Sequence, residues 1–294
     1  MRFVLPPFLG HATTSLRSSF AREVEQRLKP PAVHDLLTAA DLSHLPGGVQ
    51  RYIEASGAVG RERVVNFRAK FRGSIRRNPR AGWMRFEAEQ YNFYPDPARL
   101  FLIESTLFGI PFGAFHRYVG SSATMQADVA SVLRVVDAHG PEMTRSETVT
   151  MFNDMCAFAP ATLIDPKLRF QELGPQRVRG TFSNAGYTVS AELYFNERWQ
   201  LVNFVSDDRS QTSDGKTYDR YRWSTPLQDY RDFGGRRVAA QGEASWSMPE
   251  GEFAYVRLEL LSLEYNAHGV ETSKEATFTE PPSASVAKLK IPNR

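Results

Sequence analysis

Between residues 16 and 28, apolar side chains return every fourth position: Leu16, Phe20, Val24 and Leu28. That spacing lays one stripe along a helix of 3.6 residues per turn, and Pro30-Pro31 ends it. The first 45 residues therefore read as a helical extension, and 49–56, entered from Pro46 and closed by Gly57, as a second short helix. From Arg61 the period drops to two. In 64–73, Phe67, Ala69 and Phe71 share one face and Arg68, Lys70 and Arg72 the other, as in a half-buried strand. Further strands are expected over 83–93, 99–104, 115–119, 124–129, 169–173, 177–182, 188–195, 200–205, 216–223, 238–246 and 253–265. Turn residues join them, as at 78–82, 184–186, 196–198 and Ser213-Asp214-Gly215. One helix, 142–158, interrupts the strands, with Met143, Glu147, Met151 and Met155 on one stripe and Pro160 beyond its end. Short strands around one inserted helix, without βαβ alternation, predict a mainly β (α+β) domain over 46–266, an antiparallel sheet carrying a helix. Residues 267–294 lose periodicity and read as a tail or strap.

Length and composition narrow this little. The 294 residues, 41% hydrophobic and 23% charged, suffice for one large domain, and a net charge of +3 is too small to imply a nucleic-acid partner. A single cysteine, Cys156, excludes an intrachain disulfide framework. No apolar run approaches the ~20 residues of a membrane span. In the opening MRFVLPPFLGHATT, Pro6-Pro7 cut the apolar stretch short of the ~7–15-residue core of a secretory signal. A cytoplasmic protein without membrane insertion is the expectation; the oligomeric state stays open.

No dinucleotide fingerprint, Walker loop, zinc-protease, serine-hydrolase or C-x-x-C motif is present. Residues 61–80 hold eight basic side chains (Arg61, Arg63, Arg68, Lys70, Arg72, Arg76, Arg77, Arg80) against Glu62. They read as a phosphate or acidic-partner patch, or as the solvated face of a strand; their alternation with Phe and Ala favours the second. In 83–97, Phe86, Ala88, Gln90 and Asn92 share one face and Glu87, Glu89, Tyr91 and Phe93 the other, so neither face is clean. Carboxylates beside aromatics are acid–base candidates, or partners of the preceding basic strand. In 134–147, Asp137, His139, Glu142 and Glu147 gather around a Gly-Pro turn. Glu142 suits a helix N-terminus, whereas Glu147 lies on the methionine stripe, where a buried carboxylate needs a partner or a function. A metal site from Asp137, His139 and Glu142 fits by ligand type, but no second cluster completes it, and no metal or other cofactor is expected.

The segments 45–60, 86–91 (FEAEQY), 135–143 (VVDAHGPEM), 229–238 (DYRDFGGRRV) and 243–265 resemble the motifs of a widespread bacterial family of uncharacterised proteins with a domain of unknown function. The resemblance implies a fold similar to the lipoprotein-localisation factors LolA and LolB: a strongly curved antiparallel sheet, an incomplete barrel plugged by helices around an apolar cavity. Those carriers work in the periplasm or at the outer membrane, whereas this chain shows neither an export signal nor a lipidated cysteine. Two functions follow as expectations. In the first, the cavity binds a hydrophobic small molecule, aromatic ones included, and acts on it by cofactor-independent acid–base chemistry of lyase or isomerase type. Its catalytic candidates are Glu147, His139, Asp137, Glu89 and Tyr91, and its substrate-binding candidates Phe93, Tyr118, Glu142, Arg209 and Trp246. Glu147 is expected to face the sheet and exchange a proton opposite His139 or Tyr91, or else to be ion-paired with Arg117 or Arg209. In the second, the protein is a non-catalytic carrier or sensor of lipid-like ligands. An assembly partner using the basic strand ranks last.

Overall fold

A computed structural model describes residues 13–269 apart from 31, 33, 108, 131, 132, 213 and 214. The opening segment, most of the expected tail and two residues of the Ser213-Asp214-Gly215 turn lie outside the described residues. Helices α1 (Thr13–Glu25) and α2 (Gly47–Ala55) precede an antiparallel meander: β1 (Asn66–Ile75), β2 (Met84–Phe93), β3 (Ala98–Leu107), β4 (Ile110–Val119), β5 (Ser122–Val129) and β6 (Leu133–His139). Helix α3 (Pro141–Phe158) follows, then β7 (Leu168–Gly174), β8 (Arg177–Asn184), β9 (Tyr187–Phe195) and β10 (Leu201–Ser206). A two-stranded ribbon, β11 (Ser210–Gln211) with β12 (Asp219–Arg220), leads into β13 (Arg222–Ser224), β14 (Leu227–Phe233), β15 (Arg236–Met248) and β16 (Gly251–Tyr265).

These strands form one 14-stranded sheet in the order β6-β5-β4-β3-β2-β1-β16-β15-β13-β10-β9-β8-β7, with β14 also on β15. The last strand returns to the first, Phe67 opposite Tyr265, so the central seam joins the two ends of the domain. Helix α3 touches both β6 and β8. Eleven strand spacings of ~4.8 Å would hold those strands about 50 Å apart in a flat sheet, whereas a helix is only ~10–12 Å wide. The sheet must therefore curl around α3 as a half-barrel, open between the β6 and β7 edges.

The concave side is filled. Fourteen of the 18 residues of α3 are buried, and Phe152 packs on Phe182 and Phe204. Gly180 allows that approach: a Cβ there would lie 2.5 Å from the Phe152 ring. The expected apolar cavity is thus largely replaced by helix. The convex side carries a second, separate core. Leu16, Phe20 and Val24 of α1 cover Tyr91, Phe93, Leu100, Leu102 and Phe115. Charged clamps frame this helix, Glu23 to Arg117 at 2.8 Å and Arg17 to Glu104. The two mixed faces of β2 now have a cause, because the end of this strand is buried on both sides.

Three expectations need correction. Among the described residues of the first 45, helix is not continuous: α1 ends before Pro30, the only later helical structure before α2 is the single turn Ala39–Leu42, and Leu36 pairs in extended form with Glu62. The strand expected over 216–223 is split between the ribbon and β13. Strand β14, absent from the expected strands, alternates weakly because both its sides carry charge, as in Asp229, Arg231 and Asp232.

Candidate functional site

Helix α3 carries Glu147 and Asp154 a heptad apart, which sets both on one face, and that face meets β2, β3 and β4. Inward parity on those strands selects Gln90 and Asn92, Arg99 and Phe101, and His116 and Tyr118. Arg99 is the hub: Nε donates to Asp154 Oδ2 at 2.7 Å and Nη1 to Glu147 Oε2 at 3.1 Å. Gln90 Nε2 and Asn92 Nδ2 donate to the same Asp154 oxygen at 2.7 and 3.1 Å. Glu147 is 1% exposed. Its second oxygen, Oε1, lies 3.6 Å from His116 Nδ1 and 3.8 Å from Arg209 Nη2. Both Oε1 and His116 Nδ1 are buried without a hydrogen-bond partner in the protein.

The charges follow from these neighbours. Burial alone would raise the Glu147 carboxyl, but Arg99, then His116 and Arg209, outweigh it and bring the pKa down to about 2. Burial pushes the Asp154 carboxyl up, against the pull of Arg99, Asn92 and Gln90. Those neighbours hold Glu147 as the anion of a buried ion-pair cluster, the arrangement expected with Arg209 as partner. The partly accessible members of the cluster are His116 and Arg209, with side chains 18% and 14% exposed.

Arg209 is held by aromatic neighbours. Its guanidinium carbon lies 4.7 Å from the Trp223 ring centre and 5.4 Å from that of Trp246. Nε donates to Thr150 Oγ1 at 3.2 Å and Nη1 to Tyr255 Oη at 3.3 Å. Trp223 Nε1 donates to the same tyrosine at 3.1 Å, and Trp246 stacks on it at 5.8 Å. On the other side of the cluster, Phe101 packs edge-on against His116 at 6.1 Å.

The residues picked from sequence fall into three places. Glu147, Arg209 and Trp246 converge, and Tyr118 lies nearby, its hydroxyl receiving bonds from Asn184 Nδ2 at 2.7 Å and Thr148 Oγ1 at 3.3 Å. Tyr91, Phe93 and Glu89 occupy the convex face, the first two in the α1 core and the third paired with Arg68 at 2.8 Å. Period-two alternation makes this unavoidable once Gln90 and Asn92 face α3, so Tyr91 and Phe93 do not line the concave side. Asp137 and His139 are exposed on β6 and take no part in the ion pairs around Glu147; the imidazole facing Glu147 is that of His116. Glu142 is half-buried on the first turn of α3, accepting from Ser210 Oγ at 3.1 Å. Of the expected ion-pair partners Arg209 is present, while Arg117 is engaged by Glu23. Among the described residues, no three His, Cys, Asp or Glu side chains gather as metal ligands.

A family of unknown function (DUF6544) matches residues 35–258. The chain belongs to this family. Helix α1 lies outside the matched residues, whereas the convex-face side chains it covers lie within them. No curated protein matches the chain. Among solved structures, it is similar to a domain named for outer membrane lipoprotein sorting from Vibrio parahaemolyticus, at 10% identity over 70% of this chain and 87% of that one, with a TM-score of 0.41. It is also similar to a LolA superfamily protein from Nitrosomonas europaea, at 8% identity over 74% and 93%, again with a TM-score of 0.41. These likenesses concern the fold alone. Among the described residues, no helix is long and apolar enough to cross a membrane.

Proposed function

We propose that the protein binds a hydrophobic small molecule, aromatic ones included, on the concave face where His116 and Arg209 meet the Trp223–Trp246–Tyr255 wall. The observation that supports this most is the excess of polar apparatus around Glu147. One buried carboxylate faces three cationic or titratable groups, its Oε1 lacks a hydrogen bond, and the two accessible members sit among aromatic rings. Seating α3 needs one ion pair at most, whereas a few convergent polar groups in an apolar wall is the usual composition of a ligand site. The cytoplasmic setting expected from the sequence is part of the same proposal.

A second reading adds cofactor-independent acid–base chemistry of lyase or isomerase type, and the facing pair His116 Nδ1 and Glu147 Oε1 favours it. In this reading His116, 3.6 Å in front of the Glu147 carboxylate, is the group that exchanges a proton with the ligand. Without that chemistry the site belongs to a carrier or sensor of lipid-like ligands.

Titration with the fluorophore 1-anilinonaphthalene-8-sulfonate tests the site. Saturable binding at micromolar levels is expected, weakened at least tenfold by Arg209→Ala; absent saturation, or binding untouched by the substitution, overturns the reading. Native mass spectrometry of the purified protein separates the two versions, since a retained long-chain lipid favours the carrier and a small aromatic the enzyme.

A further inference from the structure

Antiparallel order brings four turns to one end of the sheet: β1–β2, β3–β4, β5–β6 and β15–β16. The first of these, with its strand ends over 75–86, holds Arg76, Arg77, Arg80 and Arg85 and no acidic side chain. Further down the same strand the basic face is neutralised, Arg68 by Glu89 and Arg72 by Glu259. At the tip it is not. Arg77, Arg80 and Arg85 are exposed and form no ion pair among the described residues. Between them stands Trp83, half-buried, with the guanidinium carbons of Arg76 and Arg257 at 4.6 and 4.5 Å from its ring centre.

The same rim holds most of the misplaced apolar surface. Five large hydrophobic side chains are strongly exposed among the described residues, and three lie at or next to these turns: Ile110 at 45%, Leu133 at 62% and Val135 at 46%. Unpaired arginines beside exposed aliphatics and a fixed tryptophan match the two halves of a lipid interface, headgroup phosphates outside and acyl boundary within. A nucleic acid would satisfy the arginines but leave Ile110 and Leu133 without a partner. Glu250 and Glu252 stand at the β15–β16 turn, so the positive part of the rim is its β1–β6 side.

We propose that this rim docks the protein peripherally on an anionic phospholipid surface, with Arg77, Arg80 and Arg85 on headgroup phosphates and Trp83, Ile110 and Leu133 at the interface. The proposal stands independently of the concave-face site. Co-sedimentation of the full chain with phosphatidylglycerol–phosphatidylcholine vesicles, against phosphatidylcholine alone, tests it. Binding is expected to the anionic vesicles only and to fall with added salt as the charges are screened. Arg77→Ala/Arg80→Ala/Arg85→Ala should weaken it on the order of 100-fold. Ile110→Ser/Leu133→Ser should remove the residual binding that persists at high salt. All five positions are exposed, and a urea midpoint close to that of the unaltered protein checks that each variant is folded. Failure of the intact chain to sediment, equal binding to neutral vesicles, or either variant behaving as the unaltered protein overturns the proposal. Tighter binding to a DNA oligonucleotide than to vesicles also overturns it, in favour of a nucleic-acid partner.

Discussion

Glu147 shows how far a single position can be argued. Glu147→Gln keeps the shape but leaves Arg99 facing Asp154 alone, with Arg209 and His116 facing a neutral amide. Breaking a buried pair from one side costs about 3–5 kcal/mol, and urea denaturation at pH 7 should read a loss of that order. The pH dependence has a definite sign. The folded carboxyl titrates at about 2, below its unfolded value, so its contribution is whole above the unfolded value and disappears as pH falls toward 2. Asp154 runs the other way: its raised carboxyl takes up a proton earlier in the folded chain than in the unfolded one, so acid relieves it. Urea midpoints between pH 7 and 3 should therefore fall less steeply in the variant than in the unaltered protein. Equal slopes would mean that Glu147 is not the buried anion described. The sequence marked this residue because a carboxylate on a methionine stripe is out of place. It gave no comparable sign for Arg99 or His116, whose importance comes only from facing α3. Parity could have found them, since each stands two residues from an inward aromatic, Phe101 and Tyr118.

At the scale of elements, legibility followed periodicity. The alternating strands and the long helix α3 were readable because one pattern decided each. Strands β6 and β14, both absent from the expected strands, carry charge on more than one side and alternate weakly, so contacts rather than pattern define them. Strand β2 was read as mixed for a reason visible only in three dimensions, being covered by α3 on one face and α1 on the other. That burial also explains why Tyr91 looked like a site residue: aromatics packed under a second helix and aromatics lining a ligand site give the same local sequence. The tight seat of α3 yields a direct prediction. In Gly180→Ala the new methyl would meet the Phe152 ring at 2.5 Å and that of Phe170 at 2.9 Å. Forcing carbon into a packed seam costs about 1–3 kcal/mol, measurable as a lowered urea midpoint. An unchanged midpoint would show that α3 sits further from β8 than described.

For the whole molecule, the curl of the sheet fixes which ends matter. The β6 and β7 edges stay open, whereas β1 and β16 close on each other, so the concave site and the basic rim share one frame whose two halves come from opposite parts of the chain. A chain ended after residue 250 would retain β1 to β15 but lose the strand between β1 and β15. It should accumulate as insoluble material, as unpaired edges generally do, and a soluble, cooperatively unfolding product would contradict the seam. The pairing of Phe67 with Tyr265 also has a consequence for synthesis. A ribosome adds ~5–20 residues per second, so β1 emerges on the order of 10–40 s before its partner exists. Throughout that interval the nascent chain presents a ten-residue strand with one open side, and what shields it in the cell must act before translation ends.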